Sequence, residues 1–91
     1  MSDYTVYIYS IPNCKYCSDL KDKLKDKNIE YTDIDVSKPE HEVEFAQVYD
    51  KTGTDAVPTI LLNKHLLAPD VNFWSIEQGV DIIEKIINEK L

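Results

Sequence analysis

The feature that most constrains this chain is a pair of cysteines, Cys14 and Cys17, with two residues between them. They are the only cysteines in the 91-residue sequence. They follow a β-branched and aromatic run at residues 4–9, which predicts a strand, and they precede a helix-like run at residues 18–28. Two thiols at this spacing, placed at a strand-to-helix junction, are typical of a thiol–disulfide redox site.

The predicted helix gives the two thiols different roles. The nucleophile in disulfide exchange is the thiolate, and a free cysteine with a pKa of about 8.5 is little ionised at neutral pH. Cys14 lies at the predicted helix N-terminus, where unpaired N–H groups favour an anion, and Lys15 adds a nearby cation. Cys17 follows one turn later on the apolar face. We therefore expect Cys14 to attack a disulfide and Cys17 to resolve the mixed disulfide, which leaves an internal disulfide.

The rest of the pattern predicts one domain over residues 1–91 with the element order β-α-β-α-β-β-α. Further strands are expected at residues 30–36, 57–62 and 65–67, and a crossover helix between the first two strands predicts a parallel pair. The second helix is expected at residues 40–51. Its candidate inward residues are Val43, Ala46, Tyr49 and Phe45.

A last helix is predicted to begin at Ser75, because Ser75 followed by Gln78 resembles a capping box. Its apolar stripe is expected to contain Ile76, Val80, Ile83, Ile86 or Ile87, and Leu91. Phe73 and Trp74 precede it, and two adjacent rings point in different directions. One ring could close the end of the core, or the pair could form an apolar wall beside the dithiol that contacts a protein partner.

Charge and composition exclude several classes of partner. The net charge is −7 and every cation is lysine, which disfavours binding to a nucleic-acid backbone. The N-terminus has no signal-peptide pattern and no apolar run reaches membrane length, so we expect a cytoplasmic protein that binds no membrane. Thiols are kept reduced there, and a disulfide closing so short a loop would add little stability. We therefore expect a pair that cycles between thiol and disulfide or binds a metal.

Other interpretations of the two cysteines stay open. A structural zinc site normally needs four ligands, and only His41 and His65 remain as good candidates. The thiols could also be buried and inert, or one thiolate per subunit could hold a cluster shared across a dimer. A purely structural domain would leave the position of the dithiol unexplained.

The chain resembles a glutaredoxin, within the thioredoxin fold. The resemblance rests on the C-x-Y-C motif at residues 14–17, on Val57-Pro58 at the start of the third strand, and on the element order over the whole chain. It implies an α/β thioredoxin-like fold, a four-stranded mixed sheet with helices on both faces, and a cis proline at Pro58 that faces the dithiol. It also implies that the backbone of Val57 pairs with the cysteinyl part of glutathione, in a groove lined by Tyr16.

The sequence departs from the family pattern around this groove. Lys15 stands where the family commonly has proline, and Ile11 stands where it commonly has a cation for a glutathione carboxylate. A glycine pair after the fourth strand is replaced at residues 67–69. Lys15 could partly supply the missing cation. Part of the lost contact could be rebuilt by Asp70, Asn72 or Ser75, and the candidate binding residues are Lys15, Tyr16, Val57, Pro58 and Asp70.

The function implied by this resemblance is a glutathione-dependent disulfide oxidoreductase that acts in cell redox homeostasis. It would bind no cofactor and no metal, use glutathione as co-substrate and act as a monomer. Its substrates would be protein disulfides, possible ones including ribonucleotide reductase, or glutathione mixed disulfides. One alternative is a thioredoxin-like electron carrier reduced by a flavoprotein reductase. Another is a glutathione-dependent iron–sulfur cluster carrier, against which Cys17 counts, because families with that role usually lack the second cysteine.

Overall fold

The strands and helices follow the order expected from the sequence. The computed structural model describes residues 4–89, so Leu91, expected on the stripe of the last helix, lies outside the described residues. The elements are β1 (Val6–Ser10), α1 (Lys15–Asp26), β2 (Thr32–Asp35), a 3₁₀ turn (Pro39–His41), α2 (Glu42–Thr52), β3 (Thr59–Leu62), β4 (His65–Leu67) and α3 (Ile76–Glu89).

The four strands form one mixed sheet in the order β2-β1-β3-β4. β1 runs parallel to β2 and antiparallel to β3, and β3 runs antiparallel to β4, so the predicted parallel β-α-β unit and mixed sheet are confirmed. Tyr9 pairs with Thr59. The C-terminal end of β1, which leads to the dithiol, therefore meets the N-terminal end of β3, which follows Val57-Pro58.

Side chains alternate along β1 and divide the core into two layers, as expected for a strand covered on both faces. Val6 and Ile8 point to one face and pack with Leu20 and Leu24 of α1 and with Ile83 of α3. On the opposite face the buried cluster consists of Tyr9, Ile34 and Val48, and α2 covers it. The sheet thus has helices on both sides.

The inward face of α2 differs from the one expected. Val43, Ala46 and Tyr49 are exposed, whereas Phe45, the fourth candidate, is half-buried as expected, and the helix also buries Val48. The ring of Phe45 lies 6.0 Å from that of Tyr9, centroid to centroid. The prediction was wrong for the other three residues because both stripes have the same spacing of three, so periodicity alone could not choose between them.

α3 begins at the predicted cap. The backbone N–H of Gln78 donates to Oγ of Ser75 at 3.1 Å, and Oε1 of Gln78 accepts a bond from the backbone N–H of Trp74 at 2.7 Å. This is a capping box shifted by one residue on its return bond. Val80 and Ile83, on the inner face of α3, are buried. No helix within residues 4–89 is long and apolar enough to span a bilayer.

Candidate active site

Cys14 and Cys17 lie at the start of α1 and are joined by a disulfide. Cys14 is the N-cap residue, and its Sγ accepts a hydrogen bond of 3.2 Å from the backbone N–H of Cys17. The side chain of Cys14 is partly exposed, whereas Cys17 is only 1% exposed among the apolar residues of α1. The two sulfurs therefore differ in access, with Cys14 open to a partner from solvent.

The turn between β1 and α1 presents Cys14 in this position. Asn13 has a φ of 60°, a left-handed conformation that asparagine adopts more readily than most residues. The carbonyl of Cys14 accepts the first helical bond, from the N–H of Ser18 at 3.1 Å. The first turn of α1 contains no acidic residue. No carboxylate there offsets the partial positive charge that the helix N-terminus offers to a sulfur anion.

The peptide bond between Val57 and Pro58 is cis, as the resemblance implied. Two side-chain bonds hold the loop before β3: Oγ1 of Thr59 donates to the carbonyl of Ala56 at 2.8 Å, and Oγ1 of Thr54 accepts from the N–H of Ala56 at 3.1 Å. Pro58 is buried, and Val57 is half-buried. No other residue between 4 and 89 hydrogen-bonds to the backbone of Val57, so its N–H and carbonyl are available to a ligand.

A cleft of about 330 Å³ lies between the start of α1, this loop and the segment before α3. Four predicted site residues line it together: Tyr16, Val57, Pro58 and Asp70. Lys15 is exposed and is not among the lining residues. Trp74 and Ser75, which the sequence left open as a wall residue and a contact residue, also line the cleft, and so do Ala56 and Ile76, which the sequence did not indicate.

The loop between β4 and α3 shows which polar residue faces the cleft. Oδ1 of Asn72 accepts the backbone N–H of Ala68 at 3.0 Å, so this side chain serves the loop itself. Ser75 lines the cleft but caps α3 with its hydroxyl. Asp70 has a φ of 60°, and its N–H donates to the carbonyl of Phe73 at 2.8 Å. The carboxylate of Asp70 is thus the charged group that the loop brings to the cleft.

Phe73 and Trp74 divide two roles between them. Phe73 is 2% exposed and closes the end of the core, whereas Trp74 is 64% exposed. Tyr16 is exposed to the same degree on the facing side of the cleft. Trp74 and Tyr16 thus form an exposed aromatic wall of the cleft. The sequence signal for it was the adjacent aromatic pair before the helix cap, but the path of the loop decides which ring is exposed.

Two titratable side chains away from the cleft, Tyr9 and His41, share one partner, Glu44. The hydroxyl of Tyr9 donates to Glu44 at 2.9 Å, and burial together with this bond raises the pKa of Tyr9. Nδ1 of His41 lies 3.5 Å from the other oxygen of Glu44, and His65 is exposed on β4. In the described part of the chain, no three His, Cys, Asp or Glu side chains are grouped so as to hold a metal ion.

Comparison with known proteins gives concordant matches. A family model described as Glutaredoxin matches residues 6–67. The chain is 33% identical over 76 residues to Glutaredoxin 1 of Rickettsia typhi, which covers 82% of this chain and 72% of the relative. It is 32% identical over 62 residues to an uncharacterized glutaredoxin-like 8.6 kDa protein in the rubredoxin operon of Clostridium pasteurianum, over 68% of this chain and 80% of that protein.

Solved structures agree on the fold. A buckwheat glutaredoxin–glutathione complex superposes with a TM-score of 0.73 at 15% identity, covering 97% of this chain and 80% of the other. A glutaredoxin from Archaeoglobus fulgidus superposes with a TM-score of 0.68 at 18% identity, covering 89% of this chain and 87% of the other. At these identities the likeness concerns the fold.

Proposed function

The chain belongs to the glutaredoxin family and is a thiol–disulfide oxidoreductase, and we propose that glutathione restores its reduced state. In this proposal, residues 1–91 act as one domain in the cytoplasm. The substrates are disulfides of other proteins or glutathione mixed disulfides. The observation that carries the proposal is the disulfide between an accessible Cys14 and a buried Cys17 at the N-terminus of α1. Ribonucleotide reductase is one proposed protein substrate.

The proposed cycle begins with both thiols reduced. The Cys14 thiolate attacks one sulfur of the substrate disulfide, which forms a mixed disulfide and releases the other sulfur as a thiolate. Cys17 then loses its proton and attacks Sγ of Cys14, which forms the Cys14–Cys17 disulfide and releases the second substrate thiolate. Two electrons pass from the dithiol to the substrate, and the two released thiolates take up the two protons. The disulfide between Cys14 and Cys17 corresponds to the oxidised end of this proposed cycle.

Glutathione would reverse the last state in two exchanges. One glutathione thiolate attacks Cys14, which frees Cys17 and leaves glutathione bound to Cys14. A second attacks the bound glutathione and releases glutathione disulfide with the reduced protein. The cleft supports this step because the unpaired backbone of Val57 beside Pro58 can pair with an extended peptide, and because Tyr16 provides an apolar wall. A superposable buckwheat glutaredoxin forms a complex with glutathione.

One observation favours a second reductant, a flavoprotein thioredoxin reductase. The residues that line the cleft include the carboxylate of Asp70 and no Lys, Arg or His. The side chain three residues before Cys14 is Ile11, which is apolar and 41% exposed. Glutathione has two carboxylates, and a site without cations holds them weakly. Reduction by a protein would avoid this difficulty.

The reductant is tested by coupling turnover of a disulfide substrate to NADPH. Oxidised protein is offered glutathione with glutathione reductase, or thioredoxin reductase alone, and the loss of NADPH absorbance is followed. We expect turnover with glutathione. Activity with thioredoxin reductase alone would replace the glutathione proposal by the second one. The Cys14→Ser variant, carried through both assays, gives the background rate.

A further inference from the structure

A second groove adjoins the cleft and has a different character. It has a volume of about 470 Å³ and runs between α1 and the start of α3. Tyr16, Trp74, Ser75 and Ile76 line both spaces, and the exposed rings of Tyr16 and Trp74 form the aromatic part of the wall between them. We call it the acidic groove, after the four carboxylates that line it: Asp19, Asp22, Asp26 and Glu77.

Charge in the acidic groove is poorly balanced. Its single cation is Lys23, whose Nζ lies 3.9 Å from Glu77. Asp19, Asp22 and Asp26 have no ion-pair partner among residues 4–89. With four carboxylates against one ammonium, the groove is negative immediately beside the aromatic wall, in a chain whose net charge is already −7.

Within the described part of the chain, the three aspartates form no ion pair with the lysines of the helix that carries them. Asp19, Asp22 and Asp26 are three, four and seven positions apart, so they form a stripe along one face of α1. Like charges at such spacings each destabilise a helix by about 0.2–0.5 kcal/mol. None of them lies in the first turn, where a carboxylate would favour the helix dipole. Lys23 lies four positions after Asp19, and Lys25 lies three positions after Asp22, which are favourable spacings. Neither pair forms an ion pair in the structure of residues 4–89, so both carboxylates stay open to a partner.

We propose that the acidic groove binds a lysine- or arginine-rich segment of the protein whose disulfide Cys14 attacks. This inference deepens the proposed function, on which it rests, by naming the substrate class. The carboxylates complement a cationic chain, and the exposed faces of Tyr16 and Trp74 can contact an ammonium or guanidinium group at the junction with the cleft. A segment lying in the groove would continue past this wall into the cleft beside the dithiol. An anionic substrate would be repelled by the same charges.

The test uses two synthetic peptides of equal length that share one internal disulfide, one flanked by lysines and the other by glutamates. Each peptide oxidises the reduced full-length protein in a single turnover, which is followed by rapid quenching, thiol alkylation and mass spectrometry. We expect the lysine peptide to react at least about tenfold faster at low ionic strength. The ratio should fall towards one at about 0.5 M salt, because screening shortens the range of charge interactions.

Two double variants locate the effect. Asp22→Asn with Asp26→Asn removes two charges from the acidic groove, and we expect it to lower the ratio by about threefold or more. Glu40→Gln with Asp50→Asn removes two exposed charges near and on α2, on the other side of the sheet, and should leave the ratio unchanged. The ratio is formed within each variant, so differences in intrinsic reactivity cancel.

The outcomes separate the two proposals. The groove is overturned as the docking site if the ratio of the lysine-peptide rate to the glutamate-peptide rate falls equally in both double variants. It is also overturned if both peptides react with the wild type at nearly the same rate. Either result leaves the oxidoreductase proposal intact. If neither peptide oxidises the protein, the proposed reduction of protein disulfides fails first, and the inference fails with it.

Discussion

The backbone N–H of Cys17 donates a hydrogen bond of 3.2 Å to Sγ of Cys14, so the residue that would resolve the mixed disulfide also solvates the attacking sulfur. The bond becomes charge-assisted when Cys14 is a thiolate, and such bonds are roughly twice as strong as neutral ones. Sγ of Cys17 is buried and cannot meet a substrate directly. The first turn of α1 therefore gives two chemically identical side chains different exposure and different hydrogen bonding, which is what the proposed roles require.

Single-thiol variants test this division. Cys14→Ser should lower disulfide exchange to the uncatalysed rate, because the accessible nucleophile is lost. Cys17→Ser should form a stable mixed disulfide with glutathione and retain only reactions that need one thiol. Intact-mass spectrometry after mixing with glutathione disulfide should show one adduct on Cys17→Ser and none on Cys14→Ser. An active Cys14→Ser would reverse the roles.

The buried ring of Tyr9 is expected to contribute to stability through its hydroxyl, which donates to Glu44 at 2.9 Å. We expect Tyr9→Phe to lower the free energy of unfolding by about 1–2 kcal/mol at neutral pH, because the charged acceptor loses its donor. Urea unfolding at constant ionic strength measures this difference. Exposed Tyr49 provides the control as Tyr49→Phe, for which we expect no change.

The same contact predicts the alkaline behaviour of the fold. Burial, and after it the hydrogen bond to Glu44, raises the pKa of Tyr9. The unfolded chain loses the phenolic proton near about pH 10, whereas the folded chain keeps it. The stabilisation is thus fully present below that pH and is lost as the pH rises further, by at most about 1.4 kcal/mol per unit. The stability difference between wild type and Tyr9→Phe should therefore shrink above about pH 10. A constant difference would contradict this assignment.

Local patterns were sufficient for the elements with one possible apolar face. α1 shows a single stripe through Leu20 and Leu24, and its start was visible from the position of Cys14. α2 has two stripes of equal spacing, and only its contact with Tyr9 selects Phe45 and Val48 over the other. Which face of α2 is buried therefore depends on where the sheet lies, and the sequence of the helix alone does not give that position.

The site was predictable to the same extent. Cys14, Cys17, Tyr16 and the Val57-Pro58 pair carry recognisable motifs. The two cysteines are joined to each other, and Tyr16, Val57 and Pro58 line one cleft. The position of Trp74 was not predictable, because it follows from the path of the loop before α3. That path depends on the bond from Ala68 to Asn72 and on a left-handed backbone at Asp70.

Replacing Gly79 by alanine is expected to disturb the cleft, because the added methyl group would crowd Phe73. A Cβ there would lie 3.2 Å from Cδ2 of Phe73, which is buried and lines the cleft. Alanine in place of a helical glycine normally gains about 1 kcal/mol, but crowding in a core costs about 1–3 kcal/mol. We expect Gly79→Ala to lower the free energy of unfolding by about 1 kcal/mol and to slow disulfide reduction. Urea unfolding and the NADPH-coupled assay measure the two effects.

The smaller side chain of Phe73→Leu supplies the control for this clash. With room beside residue 79, Gly79→Ala should stabilise the Phe73→Leu background, because the helix propensity of alanine then acts unopposed. The sign of the effect should reverse between the two backgrounds, and a double-mutant cycle measures the coupling. Equal effects in both backgrounds would show that the ring of Phe73 is not the obstacle.

A cation restored before the dithiol should strengthen the use of glutathione. Ile11 lies three residues before Cys14 and is 41% exposed, so a lysine there can extend into solvent without disturbing the core. We expect Ile11→Lys to lower KM for glutathione by about threefold at low ionic strength and to lose this gain at high salt, because its ammonium would attract a glutathione carboxylate. Ile11→Gln is the matched control, with similar length and no charge. The NADPH-coupled assay at varied glutathione gives KM and kcat for each. An equal gain in Ile11→Gln, or a gain that salt does not remove, would show that charge is not the limiting feature of this cleft.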